Sequence, residues 1–498
     1  MRAKPFNYRP LCFVAFFLMV TIVVAMLNFW LLIAWLVVML AVVGFLFRGR
    51  VLAITTLAVC IISVASFFIT TQSHENTRTF AGTGELHGTV LSHNISDITN
   101  SGNFTLGNAT FQGERVQGRV RVFANHLGGF VQNIAVGNVV ALTTDLQNAA
   151  TSNFNINNRI RYTTTIFGEP VFFLEYNNNA RFTMIRAAGS FLHRFMGRAS
   201  AELMHSMLFG DRSDLDGATV NAFSASGIAH VLAVSGMHVA MIIGIFVFIL
   251  NAAKVPRRFQ IPILFAILGF YAYLVDFRYS VLRASIMFMV LLINRYFFRK
   301  SDLLSSICFA GILILLIFPY GLLSVSFLLS FGSLIGIALF YQPVDRWLKQ
   351  RLTFLPCKMA RNISGAIAIY LSVTAMTIPI LINYFGMFSL VGVIANLVLL
   401  PILMLTFQMS VVALLTVVGF PLLYIADYAT RAVISTSEWL ISHQWSVIRL
   451  DGSGYWYVLF FAALIVSSRF VFIGKRAKWV AFSILMFGYV LTIGIFNI

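Results

Sequence analysis

The polar residues with the clearest chemical potential lie between Gly210 and Val239, at the start of a long apolar run. The apolar pattern predicts a membrane helix here, where a charge costs about 2.5 to 3.5 kcal/mol to insert and polar groups usually face a cavity or another helix. This stretch is therefore the first candidate for a functional surface. Its polar residues are Asp211, Arg212, Asp214 and Asp216 ahead of the apolar run, and His230, Ser235 and His238 within it.

The histidines and the serine could share a broad flank of one helix. At 100° per residue, Ser235 and His238 lie about 60° apart and His230 about 140° from Ser235. For two candidates in later apolar runs, a purely structural role stays open beside a functional one. Arg283 could extend its charge to the surface, and Asn396, shortly before a proline, could mark either a broken helix or a simple kink. The polar residues of later apolar runs that could line the same path are Arg283, Ser326, Ser330 and Asn396.

The composition assigns the chain to the polytopic membrane proteins and excludes a soluble enzyme. Of its 498 residues, 59% are hydrophobic and 10% are charged, and the mean hydropathy is +0.86. Runs of about 20 apolar residues predict about 11 to 13 transmembrane helices. Two runs lie within Leu11 to Phe47, and the others begin near Val51, Gly227, Ile261, Val281, Leu303, Leu322, Ile363, Leu390, Tyr455 and Trp479.

Charge and hydropathy divide the chain into six predicted segments. Several helices follow the first basic residues, which argues against a cleavable signal peptide. The segments are three N-terminal transmembrane helices in 1–70, an extracytoplasmic OB-like β domain in 71–185, an extracytoplasmic amphipathic entrance segment in 186–226, a transmembrane core in 227–420, an amphipathic surface helix in 421–454 and C-terminal transmembrane helices in 455–498.

Basic residues cluster between the apolar runs. All of the clusters fall on the cytoplasmic side if the runs alternate and the stretch after Gly386 crosses the membrane twice. This arrangement predicts a cytoplasmic N-terminus and places residues 71–185 outside the membrane. The formal net charge of +18 therefore reflects membrane topology and is not by itself a sign of nucleic-acid binding.

Residues 71–185 alternate apolar and polar side chains, which is typical of β-strands. The clearest alternation lies in Glu85–Ser92, Arg115–Ala124, Val136–Asp145 and Arg159–Phe167. About five short strands in a hundred residues favour a small β-barrel such as an OB-fold.

Several chemical motifs are missing from the sequence. The four cysteines lie in or beside apolar runs without metal-binding spacing, and no histidine pattern of a metallohydrolase is present. Gly474-Lys475-Arg476 lacks the upstream glycine and the hydroxyl residue of a nucleotide-binding loop. The sequence thus predicts no cofactor, no metal, no catalytic residue and no motor, and it specifies no oligomeric state.

Five ordered blocks resemble the ComEC competence family, the inner-membrane channel of bacterial DNA uptake. The most specific block is GIAHVLAVSGMHV at 227–239. The resemblance covers about residues 25–470, including an OB-type domain, and makes 227–420 the channel core. It implies import of single-stranded DNA during natural transformation. The other blocks are Gly210-Asp-Arg, Ser280-Val-Leu-Arg-Ala284, Ser326-Phe-Leu-Leu-Ser-Phe331, and Tyr384-Phe-Gly-Met-Phe-Ser389 leading to Asn396 and Pro401.

The chain departs from this family in two places. The family often has Phe-Gln-Leu-Ser-Phe where this sequence has a leucine, Leu328, instead of glutamine. Many members also continue into a metallo-β-lactamase-like domain thought to degrade the other strand, whereas this sequence stops at Ile498. The resemblance therefore implies that a separate nuclease degrades that strand or that the strand is not degraded.

The implied function also requires partners. Moving an anion inward costs about 2.3 kcal/mol per charge for each 100 mV of inside-negative potential. Besides single-stranded DNA and membrane lipid, we expect a cytosolic helicase-like motor or strand-capturing protein and an extracytoplasmic DNA receptor. Within the OB-like domain, weak and salt-sensitive DNA contact is predicted for Arg119, Arg121, Arg159 and Arg161.

Alternatives to a DNA channel stay open. The same polar lining suits a transporter of another anionic polymer or lipid. Ser235 and His238 could also form the nucleophile and base of an intramembrane serine hydrolase, although residues three apart on a helix often point in different directions. The segment after Pro421 could be either an interfacial anchor or a channel lid.

Overall fold

The computed structural model describes residues 10–27, 35, 50–75, 77–80, 82–96, 101–125, 134–150, 155–156, 158–167, 171–212, 215–232, 234–296, 303–352, 356–385, 387–416, 419–443 and 447–449. The second N-terminal run, the C-terminal helices predicted after Tyr455, and Asp214 of the entrance lie outside the described residues.

The chain is mostly helical, and a separate β-sheet region follows its second described helix. Two short 3-10 turns, Ala229–Val231 and Pro319–Leu323, precede longer helices. The longer helices of the described residues are α1 (Pro10–Leu27), α2 (Arg50–Glu75), α3 (Ala180–Phe195), α4 (Arg198–Phe209), α5 (Gly217–Ala225), α6 (Gly236–Ala252), α7 (Arg257–Leu274), α8 (Tyr279–Tyr296), α9 (Leu303–Ile317), α10 (Val325–Arg351), α11 (Cys357–Phe385), α12 (Gly392–Thr416) and α13 (Phe420–Ile441).

Four helices of the described residues are long and apolar enough to cross a membrane. They are Ile54–Glu75 in α2, α10, Met359–Ile382 in α11, and α12. Shorter apolar stretches lie in α1, α6, α8 and α9. The fold therefore supports a membrane protein, while the predicted number of 11 to 13 spanning helices is not confirmed.

Helices α10 and α11 pack against each other through a glycine. A Cβ atom added to Gly336 would lie well inside 3.0 Å of the Ser372 carbonyl oxygen, closer than real Cβ atoms come to any neighbour. Small residues at such crossings let two helix backbones approach closely, which is a common way to pack helices in lipid.

The β region is one open sheet with strand order β6-β7-β4-β2-β1-β5-β8, while β3 pairs with β2. Among the described strands, only β4 and β7 run parallel. The predicted OB-like barrel is not confirmed, because β6 and β8 end the hydrogen-bonded order and do not pair with each other. The strands are β1 (Thr83–Ser96), β2 (Ser101–Phe111), β3 (Glu114–Arg115), β4 (Arg119–Asn125), β5 (Asn138–Asp145), β6 (Gln147–Asn148), β7 (Ile160–Phe167) and β8 (Phe172–Tyr176).

The sheet has its own apolar core. Phe104, Phe111 and Tyr162 are among its largest fully buried side chains. The alternation of the sequence produces this core because every second residue of a strand points to the same face. In β4, for example, Val120 and Val122 are buried.

Among the described residues, contacts attach the β domain to the helical part at the end of α2 and at the α7–α8 loop. At the end of α2, the His74 Nε2 atom lies 2.9 Å from the Ile160 carbonyl oxygen, and Arg161 donates to Ser73 at 2.8 Å. At the α7–α8 loop, Arg119 of β4 donates to the Asp276 carboxylate at 2.6 Å. The starts of the helices after this loop therefore lie on the same side of the molecule as the β domain.

The segment predicted as one surface helix in 421–454 has two parts in the structure. Helix α13 ends at Ile441 and buries one face, which includes Leu423, Ala426 and Leu440. A short strand, Val447–Arg449, follows and pairs with Met387–Ser389 before α12. The prediction that α13 lies at a membrane surface stays a prediction.

Candidate functional site

Three helices, α6, α8 and α10, begin beside one another near the β domain. The Ser280 hydroxyl at the start of α8 donates to the Val234 carbonyl just before α6 at 2.7 Å. Arg283 reaches from α8 to the first turns of α10. The backbone N–H groups of a first helical turn have no intrahelical acceptors, and the helix dipole is positive there. We call Ser235, His238, Arg283, Ser326 and Ser330 the helix-start cluster.

Ser235 and His238 form the start of α6. The Ser235 backbone N–H donates to His238 Nδ1 at 3.0 Å, and the Ser235 hydroxyl oxygen lies 3.0 Å from the same nitrogen. Because Nδ1 accepts a hydrogen bond, the proton of the neutral ring is assigned to Nε2. His238 is fully buried against the Phe407 ring, and Nε2 has no partner among the described residues. It is a buried donor without an acceptor.

Arg283 is a buried cation inside the helical bundle. Its side chain is 3% exposed, and Nη2 donates to the hydroxyls of Ser326 at 2.7 Å and Ser330 at 3.1 Å. Its Nε has no hydrogen-bond partner, and no carboxylate pairs with it in the parts of the chain that are described. The interpretation that Arg283 extends to the surface is wrong, because the side chain crosses to α10.

The predicted entrance residues lie at the end of α4. Gly210 ends this helix in a left-handed conformation with φ of 77°. Next to it, Arg212 donates through Nε to the Leu232 carbonyl at 2.9 Å, which ties the entrance to the loop before α6. Asp211 interacts electrostatically with Arg278, the last residue before α8. The entrance therefore adjoins the starts of α6 and α8.

His230 lies outside the helix that contains His238. The predicted helix from Gly227 begins only at Gly236, and His230 is exposed in a 3-10 turn. The predicted angles around one helix are therefore wrong for His230. At the start of the predicted helix, Gly227 has a φ of 78°, which departs from helical geometry, and an added Cβ there would lie 3.1 Å from the Ser389 Cβ and 3.2 Å from the Gly392 Cα.

Asn396 of α12 links this helix to the backbone at Gly227. Its Nδ2 donates to the Gly392 carbonyl at 2.7 Å and to the Gly227 carbonyl at 3.4 Å. The helix is not broken here, because a π turn at Ala395–Leu399 precedes Pro401 and keeps the backbone helical. Such π turns often occur at functional sites. Asn396 and Pro401 also line a small cleft with Tyr370.

The four β-domain arginines have different surroundings. Arg119 and Arg121 share one face of β4, as predicted, but Arg119 pairs with Asp276 while Arg121 lies over the Phe123 ring with its guanidinium carbon 4.9 Å from the centroid. Burial lowers the pKa of Arg121. Arg161 binds Ser73, and Arg159 is exposed at a left-handed position with φ of 59°. DNA contact at these residues stays a prediction.

Sequence reasoning missed the charged junction at Asp276. Besides Arg119, the Asp276 carboxylate has Arg181 Nη1 at 3.9 Å, and Arg278 interacts with it electrostatically. Burial lowers the pKa of Arg181, and Asp276 acts in the opposite direction. A single acidic residue between two apolar runs has no periodic signal. The run Asp276-Phe277-Arg278 could still have been recognised as a charged loop between two helices.

Metal binding finds no support in the described part of the chain. No three histidine, cysteine, aspartate or glutamate side chains lie together there in a way that could hold an ion. The chemistry available at the helix-start cluster is therefore hydrogen-bond donation and positive charge, which suits an anion.

The chain is similar to known competence and recombination proteins. The family model described as "Competence protein" matches residues 207–476, more than half of the chain. "ComE operon protein 3" of Bacillus subtilis is 28% identical over 215 residues, which are 43% of this chain and 26% of that protein. "Recombination protein 2" of Haemophilus influenzae is 30% identical over 210 residues, 40% of this chain and 26% of that protein.

The matched stretches leave most of these relatives' length uncovered. An uncharacterised Aquifex aeolicus protein is 29% identical over 218 residues, which are 43% of this chain and 48% of that protein. The chain thus spans between a quarter and a half of the curated relatives it matches. No solved structure matches the chain.

Proposed function

The chain belongs to the Competence protein family, and on that premise we propose that it takes part in DNA uptake for transformation, as the channel that imports single-stranded DNA. The observation that supports this proposal is the helix-start cluster. It groups a buried arginine, a buried histidine and three serines at the starts of apolar helices, next to a charged entrance.

The chemistry of the cluster fits a polyanion. A single strand has one negative charge per nucleotide, so its path needs donors and positive charge in place of water. Helix starts that point toward an anionic group provide both, through their N–H groups and their dipoles. In the proposed path, Asp211 and Arg212 form the entrance, the helix-start cluster follows, and Asn396 lines the wall beside it.

The β domain would meet the strand first. The Arg121 guanidinium over the exposed Phe123 ring is the combination of positive charge and aromatic surface that binds single strands. In this proposal the domain faces outward from the bacterial inner membrane, and the N-terminus is cytoplasmic. A receptor delivers DNA outside, and a cytosolic motor or capturing protein pulls the strand inward.

The test is uptake of labelled DNA into the cytosol of competent cells. We expect deletion of the gene to leave DNA outside the inner membrane, the wild-type gene to restore import, and His238→Ala to reduce import because a buried donor is lost. His193→Ala, which changes an exposed histidine on α3, is the matched control and should import like wild type. Normal cytosolic import after deletion would reject the channel and favour transport of another anionic polymer or a lipid.

One contact also favours a second candidate, the serine hydrolase. The Ser235 hydroxyl lies 3.0 Å from His238 Nδ1, within the range of a nucleophile and its base. However, the Ser235 backbone N–H points at the same nitrogen and occupies its lone pair. We therefore expect Ser235→Ala to change DNA flux only partially. Complete loss of a measurable hydrolysis of lipid or peptide esters in this variant would favour the enzyme.

A further inference from the structure

At the start of α10, the positive end of the helix dipole and the positively charged Arg283 lie together, and no carboxylate of the described residues pairs with Arg283. Ser326 lies in the first turn of this 27-residue helix, at the positive end of its dipole. Arg283 reaches the same turn and is 3% exposed, with its Nε unpartnered. A cation at a helix start is electrostatically unfavourable, and a buried arginine normally pairs with a carboxylate. Within the described residues, none does so here.

Several hydrogen-bond donors lie together at the start of α10. Ser324 caps the helix and accepts from the Phe327 N–H at 3.2 Å, which leaves the preceding first-turn N–H groups without an intrahelical acceptor. Ser326 and Ser330 accept hydrogen bonds from Arg283, so each hydroxyl proton can be donated to another group. Ser326 is itself exposed, which gives a ligand access to the buried arginine.

We propose that Arg283, Ser326, Ser330 and the first turn of α10 bind one phosphodiester group at a time. The arginine provides the charge, the hydroxyls and first-turn N–H groups provide further donors, and the helix dipole adds to the attraction. Naming the DNA strand as the source of that group rests on the proposed function. The anion site itself rests on the geometry of α8 and α10.

The experiment measures binding of a short single-stranded oligonucleotide to the purified full chain in detergent, over a series of salt concentrations. A methylphosphonate oligonucleotide of the same sequence, which lacks the backbone charge, is the ligand control. We expect Arg283→Gln to weaken binding about tenfold and to lower the slope of log affinity against log salt by about 0.7, the loss of one phosphate contact. Binding of the uncharged oligonucleotide should stay unchanged.

The matched protein control is Arg346→Gln, which changes an exposed arginine at the opposite end of the same helix. We expect it to keep the wild-type salt slope. An equal decrease in slope for both variants would mean that any arginine contributes, and it would overturn the site.

A second variant keeps the test valid if Arg283→Gln does not fold. Ser326→Glu places a carboxylate within reach of Arg283 at a helix start, where negative charge is favourable. We expect this variant to melt at a higher temperature than wild type and to show the same decrease in salt slope, because its own carboxylate occupies the site. A wild-type salt slope in Ser326→Glu would contradict the proposal.

The outcomes separate this inference from the proposed function. If deletion of the gene leaves DNA import unchanged but Arg283→Gln still lowers the salt slope, the anion site stands and its ligand is a phosphodiester other than imported DNA. If deletion stops import but both substitutions leave the slope unchanged, the channel stands and Arg283 only joins two helices.

Discussion

At the residue scale, the helix-start cluster contains polar groups that packing alone does not explain. His238 buries an N–H donor and Arg283 buries a charged N–H donor, each without a partner among the described residues. Leaving a buried polar group unpaired costs about 1 to 3 kcal/mol. In the proposed channel, these two buried donors at the starts of α6 and α8 would be available to a passing anion.

Asp276 offers a prediction at the same scale. It pairs with Arg119 at 2.6 Å, and the two side chains are 28% and 22% exposed. Asp276→Asn removes the charge but suits the left-handed backbone, where φ is 59°. We expect a loss of about 1 kcal/mol, because the pair is partly buried. Thermal unfolding in detergent measures this loss, and limited proteolysis should cut the connections to the β domain faster.

The control for Asp276 is an exposed ion pair within the β domain. Arg78 and Glu114 lie 2.7 Å apart with side chains that are 69% and 52% exposed. Glu114→Gln should leave the melting temperature unchanged, since exposed ion pairs contribute little. Equal melting temperatures of Asp276→Asn and wild type would show that Asp276 does not hold the two parts together.

At the element scale, the α10–α11 crossing fixes where the arginine site lies. The two helices approach closely at Gly336, where the backbone of α11 leaves no room for a side chain. Because α10 also contains Ser326 and Ser330, a change in this crossing would shift the acceptors of Arg283. We expect that the packing of these two helices, both long and apolar enough to span a membrane, sets the geometry of the proposed anion site.

We therefore expect Gly336→Ala to destabilise the protein by about 1 to 3 kcal/mol through overpacking. Gly332→Ala, one turn earlier on the same helix, is the control, because its nearest contact would be an ordinary 3.6 Å to Ile380. Alanine should stabilise that position by roughly 0.5 to 1 kcal/mol. The melting temperatures of the two variants test these opposite expectations. A similar shift in both variants would contradict this account of the crossing.

At the scale of the whole molecule, the proposed channel needs an external source of energy. The sequence contains no recognisable nucleotide-binding loop, and import of each phosphate costs about 2.3 kcal/mol for every 100 mV of inside-negative potential. Passive movement of a strand is therefore possible only without an opposing potential. We therefore propose that the energy comes from a partner that pulls the strand.

Proteoliposomes containing the purified chain test this point. We expect a labelled oligonucleotide to enter vesicles down its concentration gradient when no potential is present, and to be excluded when an inside-negative potential is imposed. Vesicles without protein are the control for leakage. Accumulation against the potential without ATP or a motor would disprove the need for a partner.

The sequence by itself determined the elements that depend on local patterns. Hydropathy predicted helices near Val281, Leu303 and Ile363, and the structure has α8, α9 and α11 there, because about 20 apolar residues must become helical in lipid. Alternation in the same way predicted Val136–Asp145, and β5 is Asn138–Asp145. That Gly210–Val239 forms a functional surface stays a prediction.

Only the tertiary structure decided how these elements meet. Arg283 and Ser326 are 43 positions apart, and no local pattern indicates that the starts of α8 and α10 touch. The same holds for Arg119 and Asp276, which are 157 positions apart. The open sheet, the π turn at Ala395–Leu399 and the late start of α6 likewise result from long-range contacts. Periodicity reports which face of an element is apolar, whereas its neighbours depend on how all the elements pack.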